Sequence, residues 1–376
     1  MIDKHGKWIG NELKYLKQAL GGKAFVGKFE KEFSNKFGIK YAIAHNSGTS
    51  TLHSCLMALD IGIGDEVISP AQTVIMNSFV ILHQKATPVY ADIDPYTFNI
   101  DPNDIESKIT PRTKAIIAVH MHGLPADMDP IMKLSKKYNI PIIEDSAHCV
   151  LGEYKGKLAG TIGHMASFSF ETKKHMSTGE GGMVITNDAE LATKIRKVGG
   201  LGYKNLEAGQ SLTKKLPSEF QNPNYKRHDT LGLNYRMNEF TAAVGLAQLE
   251  RINFLVERRI QCAELFLEAI GNCDWILPQR TPKGVKNTYW TFTVRYERND
   301  WKAFYKKFKE NGGDGFYGGL SVAYEEPVME KYKHIGTCPV AERIQPKMMQ
   351  FKTNYRNMEK AKEQAQILKK TIGDME

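Results

Sequence analysis

Lys173 and Lys174 stand between two strand-like runs, 166–170 and 183–186, just ahead of the glycine-rich turn Gly179-Glu180-Gly181-Gly182. In the first run Ala166, Phe168 and Phe170 fall on one face and Ser167 and Ser169 on the other, the alternation of a half-buried strand. A lysine at the mouth of a strand, braced by tight backbone turns, is placed to condense with a carbonyl as a Schiff base. Upstream, Pro141-Ile142-Ile143-Glu144-Asp145 reads as an apolar strand ending in carboxylates; a helix cap after the strand is the lesser reading of Asp145. A lysine for an aldehyde and an aspartate for a pyridine nitrogen are the pair that pyridoxal 5'-phosphate (PLP) requires.

Other residues carry weaker chemistry. Asn46-Ser47-Gly48-Thr49-Ser50 follows a strand candidate and opens a helix. Helix amides flanked by hydroxyls make an anion site, and the same residues equally make a plain capped helix. His120 and His122, with His148, raise a metal reading. On a strand the first two would share a face, but no third ligand at catalytic spacing is evident. Gly313-Asp314-Gly315-Phe316-Tyr317-Gly318 matches G-x-G-x-x-G. A dinucleotide fingerprint must follow a strand and open a helix. This one follows an amphipathic helical segment (Trp301, Phe304, Tyr305, Phe308) and precedes a strand-like Leu320 to Tyr324, so it reads as a loop that could border a substrate site.

Together these segments resemble the PLP-dependent sugar aminotransferases of the DegT/DnrJ/EryC1/StrS family, a branch of the fold-type-I (aspartate aminotransferase-like) enzymes. The likeness runs from about Gly21 to about Gln248. The family pattern Ser-Phe-x-x-x-Lys-x-x-x-Thr-Gly-Glu-Gly-Gly falls on Ser169, Phe170, Lys174, Thr178 and Gly179 to Gly182, and its register selects Lys174 over Lys173. Glu-Asp-x-Ala-Gln/His falls on Glu144, Asp145, Ala147 and His148, which implies that His148 approaches the cofactor's phenolic oxygen. The resemblance also implies a phosphate cradle at Ser47, Gly48 and Thr49, with Ser169 as a further ligand. Leu231 to Met237 matches a signature whose asparagine, here Asn234, reaches the cofactor phosphate of the neighbouring subunit in a homodimer. Three positions depart from the family. Val74 stands where an aromatic residue usually stacks on the PLP ring, Glu171 where histidine or an aromatic is common, and the stretch from Cys338 to Gln350 lacks the usual Leu-Pro segment.

The resemblance implies a transaminase that turns a keto-sugar, nucleotide-linked or a keto sugar acid, into an amino sugar, with L-glutamate as donor. Lys174 and Asp145 would be its catalytic residues and cell-surface polysaccharide (lipopolysaccharide) synthesis its setting. One rival is a PLP-dependent sugar dehydratase of the same family, in which histidine replaces the lysine; Lys174 is intact, although His175 adjoins it. A non-catalytic regulatory relative that binds PLP or sugar is the other.

The elements that must position these residues read as α/β. Strand candidates at 40–45, 66–69, 88–92, 115–119, 140–144, 166–170 and 182–186 alternate with helical segments at 11–20, 27–37, 50–59, 71–85, 127–138 and 188–198. The fold expected is a large domain, 1–245, on a mostly parallel seven-stranded sheet, and a smaller α+β domain, 246–376. Residues 203–230 read as a long loop. A long amphipathic helix from about 237 leads into the second part, with strands at 288–296 and 320–324 and helices at 299–311 and 357–373.

The chain has 376 residues, 41% apolar and 25% charged, ordinary values for a soluble protein. No apolar run is long enough to span a membrane, and the N-terminus has no apolar signal core. Five scattered cysteines form no disulfide framework, so a reducing cytoplasm is the expected location. The net charge of +9 is spread over separated pairs such as Lys214-Lys215, Lys306-Lys307 and Lys369-Lys370, which argues against nucleic acid and suits an anionic small-molecule substrate.

Overall fold

The computed structural model describes residues 10–210, 218–355 and 357–376, without the Phe220 side chain. The readings at the N-terminus and at Lys214-Lys215 therefore lie outside the described residues. The strands are β1 (Tyr41–His45), β2 (Glu66–Pro70), β3 (Thr87–Ala91), β4 (Thr113–Val119), β5 (Ile142–Asp145), β6 (Glu153–Tyr154), β7 (Lys157–Leu158), β8 (Met165–Ser169), β9 (Gly182–Thr186), β10 (Ile276–Pro278), β11 (Val285–Lys286), β12 (Thr291–Tyr296), β13 (Tyr317–Gly318) and β14 (Met348–Lys352). The helices are α1 (Glu12–Leu20), α2 (Val26–Phe37), α3 (Gly48–Ala58), α4 (Met76–His83), α5 (Pro102–Ser107), α6 (Met128–Tyr138), α7 (Ala189–Gly199), α8 (Glu239–Leu249), α9 (Ile252–Ile270), α10 (Trp301–Glu310), α11 (Pro339–Ile344) and α12 (Met358–Gly373).

The main sheet has seven strands in the order β1-β9-β8-β5-β4-β2-β3. Neighbours from β8 to β3 run parallel, and β9 runs antiparallel to both β1 and β8. This is the mostly parallel sheet expected. Its strands are buried over nearly their whole length because helices cover both faces. Ala42, Ala44, Ala166, Phe168, Met183 and Ile185 pack on one side with Phe29, Phe33 and Phe37 of α2. Ile43, Ile117, Ile143, Met165 and Val184 pack on the other with Leu52, Cys55 and Leu56 of α3. Strand β8 is therefore buried on both faces rather than half-buried. Its serine face is covered by α3: the Ser167 hydroxyl meets Thr51 Oγ1 at 2.6 Å. A buried ion pair ties α2 to α7, with both Arg196 Nη atoms on the Glu30 carboxylate at 3.1 and 2.9 Å.

Five elements differ from the sequence reading. The helix expected over 71–85 begins only at Met76. Ala71 instead continues the sheet, donating to Ala91 O, and Gln72 bridges Val322. The long helix expected from 237 is two, broken between Leu249 and Ile252. There Glu12 of α1 accepts from Gln248 and Arg251, while α8 packs on α1 and α2 and is buried on almost every side. Residues 320–324 are not a strand; Ala323–Glu325 is a 3₁₀ turn. The pairing partner of β12 is the unforeseen β14, in the antiparallel order β10-β12-β14-β13. Lastly, His122 is not on a strand: it sits in a 3₁₀ turn at φ 59° after β4.

The second sheet carries α9, α10 and α12 around a core that includes Phe266, Phe292, Phe304, Phe308, Phe351 and Leu368. The expected loop at 313–318 lies between α10 and the short β13. Within the loop read over 203–230, residues 211–217 lie outside the described residues; ahead of them Ala208 is pinned to α7 through Arg196 and Thr193. Among the described residues no helix is long and apolar enough to cross a membrane.

Candidate active site

Parallel sheets gather function at the C-terminal ends of their strands. Here β1, β5 and β8 end in or lead to Ser47, Asp145 and Ser169, and these three line one cavity of about 290 Å³. Gly48, Thr49, Thr73, Val74, Asn77, His148, Glu171, Lys174 and Glu180 complete most of its wall. Every cofactor-site residue implied by the resemblance borders this space except Asn234; His120, His122 and the 313–318 loop do not line it.

The lysine loop is a tight excursion between β8 and β9. Phe170 N donates to Gly181 O, Thr178 N to Phe170 O, and Lys174 N to Glu171 O. Gly182 has to be glycine, because a Cβ there would lie 2.6 Å from Ser47 O. Within this loop Lys174 is only 8% exposed, and burial pulls its amine down to about 8. The carboxylates of Asp145 and Glu171 oppose that shift but do not cancel it. A buried, easily deprotonated amine is a nucleophile near neutral pH. Lys173, its neighbour, is exposed and outside the cavity wall. The Lys174 ammonium lies 4.4 Å from the centroid of the Trp290 ring.

Asp145 ends β5. Asn77 Nδ2 donates to Oδ2 and Ala147 N to Oδ1, each at 3.1 Å. Burial nevertheless raises its pKa, so the carboxylate lacks a full complement to its charge. A protonated ring nitrogen would supply one. Next to it His148 is buried, stacked on Trp290 at 3.6 Å between centroids, and neither ring nitrogen has a partner among the described residues. Burial and then the Lys174 charge hold its pKa well down, so the ring is neutral and can offer both nitrogens.

The start of α3 has the make-up that suits an anion. Ser47 caps it in a reciprocal box with Ser50, and the amides of Gly48 and Thr49 border the cavity at the positive end of the helix dipole. A Cβ on Gly48 would lie 2.7 Å from Ser169 Cβ; the close pass of helix over strand brings the Ser169 hydroxyl beside those amides. Phosphate, ring nitrogen, phenolic oxygen and aldehyde of PLP each find a suitable group here.

The two histidines that raised a metal reading diverge. His120 Nε2 meets Glu144 at 2.9 Å, and Glu144 also accepts from Gly160, Ile162 and Gly163. His122 turns toward Thr291 and the His148–Trp290 stack. Asn234 is exposed on the 231–237 loop, where its backbone O accepts from Asn46 and its side chain from Arg236. Sequence reasoning missed Asn77, Trp290 and Arg259. Each meets the site across a long stretch of chain, and no local spacing marks them.

A buried lysine, a strand-end aspartate and a helix-borne anion site around one cavity, on this sheet, define a PLP-dependent transferase of fold type I. The chain belongs to the DegT/DnrJ/EryC1/StrS aminotransferase family, whose model matches residues 11–370. It is similar to the GDP-perosamine synthase of Caulobacter vibrioides, 41% identical over 275 residues that cover 72% of this chain and 69% of the relative. The GDP-perosamine synthase of Escherichia coli O157:H7 is 37% identical over 76% of this chain and 75% of its own length. Among solved structures, the aminotransferase from Psychrobacter cryohalolentis superposes with a TM-score of 0.87 at 29% identity, over 96% of each chain. The protein is thus a PLP-dependent sugar aminotransferase.

Proposed function

We propose that this enzyme aminates a keto-sugar carried on GDP, taking the amino group from L-glutamate, in the synthesis of a cell-surface polysaccharide. The likeness to two GDP-perosamine synthases over about three-quarters of the chain is the observation that carries this reading. The intact Lys174 supports amination over the dehydratase alternative, and the net charge of +9 suits an anionic sugar nucleotide.

When bound, the cofactor supplies an electron sink for amino-group transfer. Lys174 would hold it through Nζ and, once free, carry a proton as general base, a task for which an amine near 8 is well matched. Asp145 would keep the ring nitrogen protonated, with Asn77 orienting the carboxylate. Gly48, Thr49 and Ser169, beside the Ser47 cap, would hold the phosphate. His148 would face the phenolic oxygen, and Val74 would cover the ring. Asn234 is exposed outside its own chain's cavity, which fits its serving a second copy in a homodimer.

The test is to incubate the PLP-loaded protein and L-glutamate with keto-sugars on GDP, keto-sugars on other nucleotides, and keto sugar acids, and to weigh the products. A GDP-linked amino sugar is expected. Amination of a sugar acid alone would overturn the substrate assignment. Loss of water without gain of nitrogen would overturn the reaction.

A further inference from the structure

A second cation is buried directly behind the lysine loop. Arg259, on α9, is 3% exposed, and its guanidinium is held by neutral oxygens. Nη2 donates to the carbonyls of Lys173 and Lys174 at 2.7 and 3.0 Å. Nη1 donates to Trp290 O at 2.6 Å and to Thr353 Oγ1 at 3.1 Å. Thr353 Oγ1 in turn donates to Tyr289 O and Trp290 O at 2.7 and 3.0 Å. The Trp290 indole closes the circuit, its Nε1 donating to Lys173 O at 3.1 Å while its ring packs on His148 and lies under the Lys174 ammonium.

Burying a guanidinium with no carboxylate bonded to it is costly; burial holds this one down to about 10, and the charge of Glu171 opposes that shift only in part. Packing alone would be met by a leucine or methionine. The planar fork does something that neither they nor lysine can do: it reaches two carbonyls on one side and a carbonyl and hydroxyl on the other at once. The two sides belong to different parts of the fold. One is the lysine loop between β8 and β9; the other is the pair of chain segments flanking β12 and β14 in the second sheet.

We infer that Arg259 is a positioning residue for the cofactor lysine. Its grip fixes the Lys173–Lys174 backbone against Trp290 and Thr353, so that the Lys174 amine enters the cavity from the Trp290 face. The inference rests on Lys174, not Lys173, being the lysine that holds PLP. Its fixed charge also disfavours protonation of Lys174, as a minor contribution behind burial and the opposing carboxylates.

Arg259→Lys, Arg259→Met and Thr353→Val test it in the full chain. In the holoenzyme, Arg259→Lys is expected to lower kcat by ~10–100-fold with KM for glutamate little changed, the signature of a misplaced group and not of lost binding. In the cofactor-free protein, competitive acetylation across pH reads the titration of Lys174 itself. Arg259→Met should move its midpoint upward by a fraction of a pH unit, while Arg259→Lys, which keeps the charge, should leave it in place. If Arg259→Met does not fold, Thr353→Val carries the positional arm and should lower kcat several-fold at constant KM. Wild-type kcat in the folded Arg259→Lys and Thr353→Val proteins would overturn the inference, as would a loss of thermal stability alone with kcat and the Lys174 midpoint intact. Borohydride reduction of the wild-type holoenzyme separates the two claims: a pyridoxyl label on Lys173 would refute the underlying lysine assignment, whatever the Arg259 variants do.

Discussion

The chemistry of Lys174 is bought with stability. Its amine titrates at about 8 in the native protein against an ordinary 10.5, chiefly through burial. Between those values the unfolded chain binds more protons than the native one, so stability rises with pH across that window, and below pH 8 the full cost is felt. In cofactor-free protein, Lys174→Met should therefore raise unfolding free energy at pH 7 by up to about 3 kcal/mol, less what Asp145 loses as its neighbouring cation disappears. The gain should shrink as pH climbs from 8 to 10.5; urea melts at several pH values would show it, and a gain independent of pH would contradict it. Asp145 has the complementary strain, a carboxylate pushed up by burial. Asp145→Asn keeps the shape and removes the charge. It should still bind PLP but lose turnover by orders of magnitude, since the ring is no longer held as a pyridinium. Near-normal turnover would remove Asp145 from the mechanism.

Among elements, α3 matters most to the site, because its first turn, its cap and its contact with β8 are one construction. Gly48→Ala would set a Cβ 2.7 Å from Ser169 Cβ, lifting the helix start from the strand. PLP affinity should fall by at least about tenfold, as the amides and dipole are displaced, and the melting temperature of the cofactor-free protein should fall with it. Gly48→Ala combined with Ser169→Gly relieves the clash, so the melting temperature should recover while PLP affinity does not. Recovery of both would mean that Ser169 does not contribute to the phosphate site. The β1 edge of the sheet depends on Glu30 and Arg196, buried at 5% and 3% exposure and bonded to Ala44 N and Ala42 O. Glu30→Ala leaves the guanidinium unpaired and should cost about 3–5 kcal/mol in denaturant unfolding.

At the scale of the whole molecule, the question is whether one chain makes a complete site. Asn234 stands on a loop that also exposes Leu231 at 87% and Leu233 at 38%, with Phe240 at 46% nearby on α8. Exposed apolar side chains around a polar site residue suit burial against a second copy. If each site takes Lys174 from one chain and Asn234 from the other, Lys174→Ala and Asn234→Ala homodimers are each crippled. In a mixed dimer one site collects both lesions and the other none. Activity should return on mixing, at roughly one intact site per heterodimer. No recovery despite verified subunit exchange would place both residues in the same site of one chain.

The sequence by itself determined the main sheet and the capped start of α3. Strands buried on both faces read as short apolar runs whatever they pack against, and a strand leading through Ser47-Gly48-Thr49 into a helix is a local device whose residues are contiguous. The choice of Lys174 over Lys173 needed the family register; by composition the two lysines are equivalent, and the structure separates them by burial. What the tertiary structure alone decided depends on partners distant in the chain. β14 was chosen over 320–324 because antiparallel pairing is settled by which segment reaches β12, not by the alternation within either. Trp290 and Arg259 meet the lysine loop across 117 and 86 residues, and a lone tryptophan or arginine carries no periodic signal to announce that. Serines 167 and 169 looked like a solvent face; they are small because α3 passes close over them, a fact that belongs to packing and is invisible in the strand's own pattern.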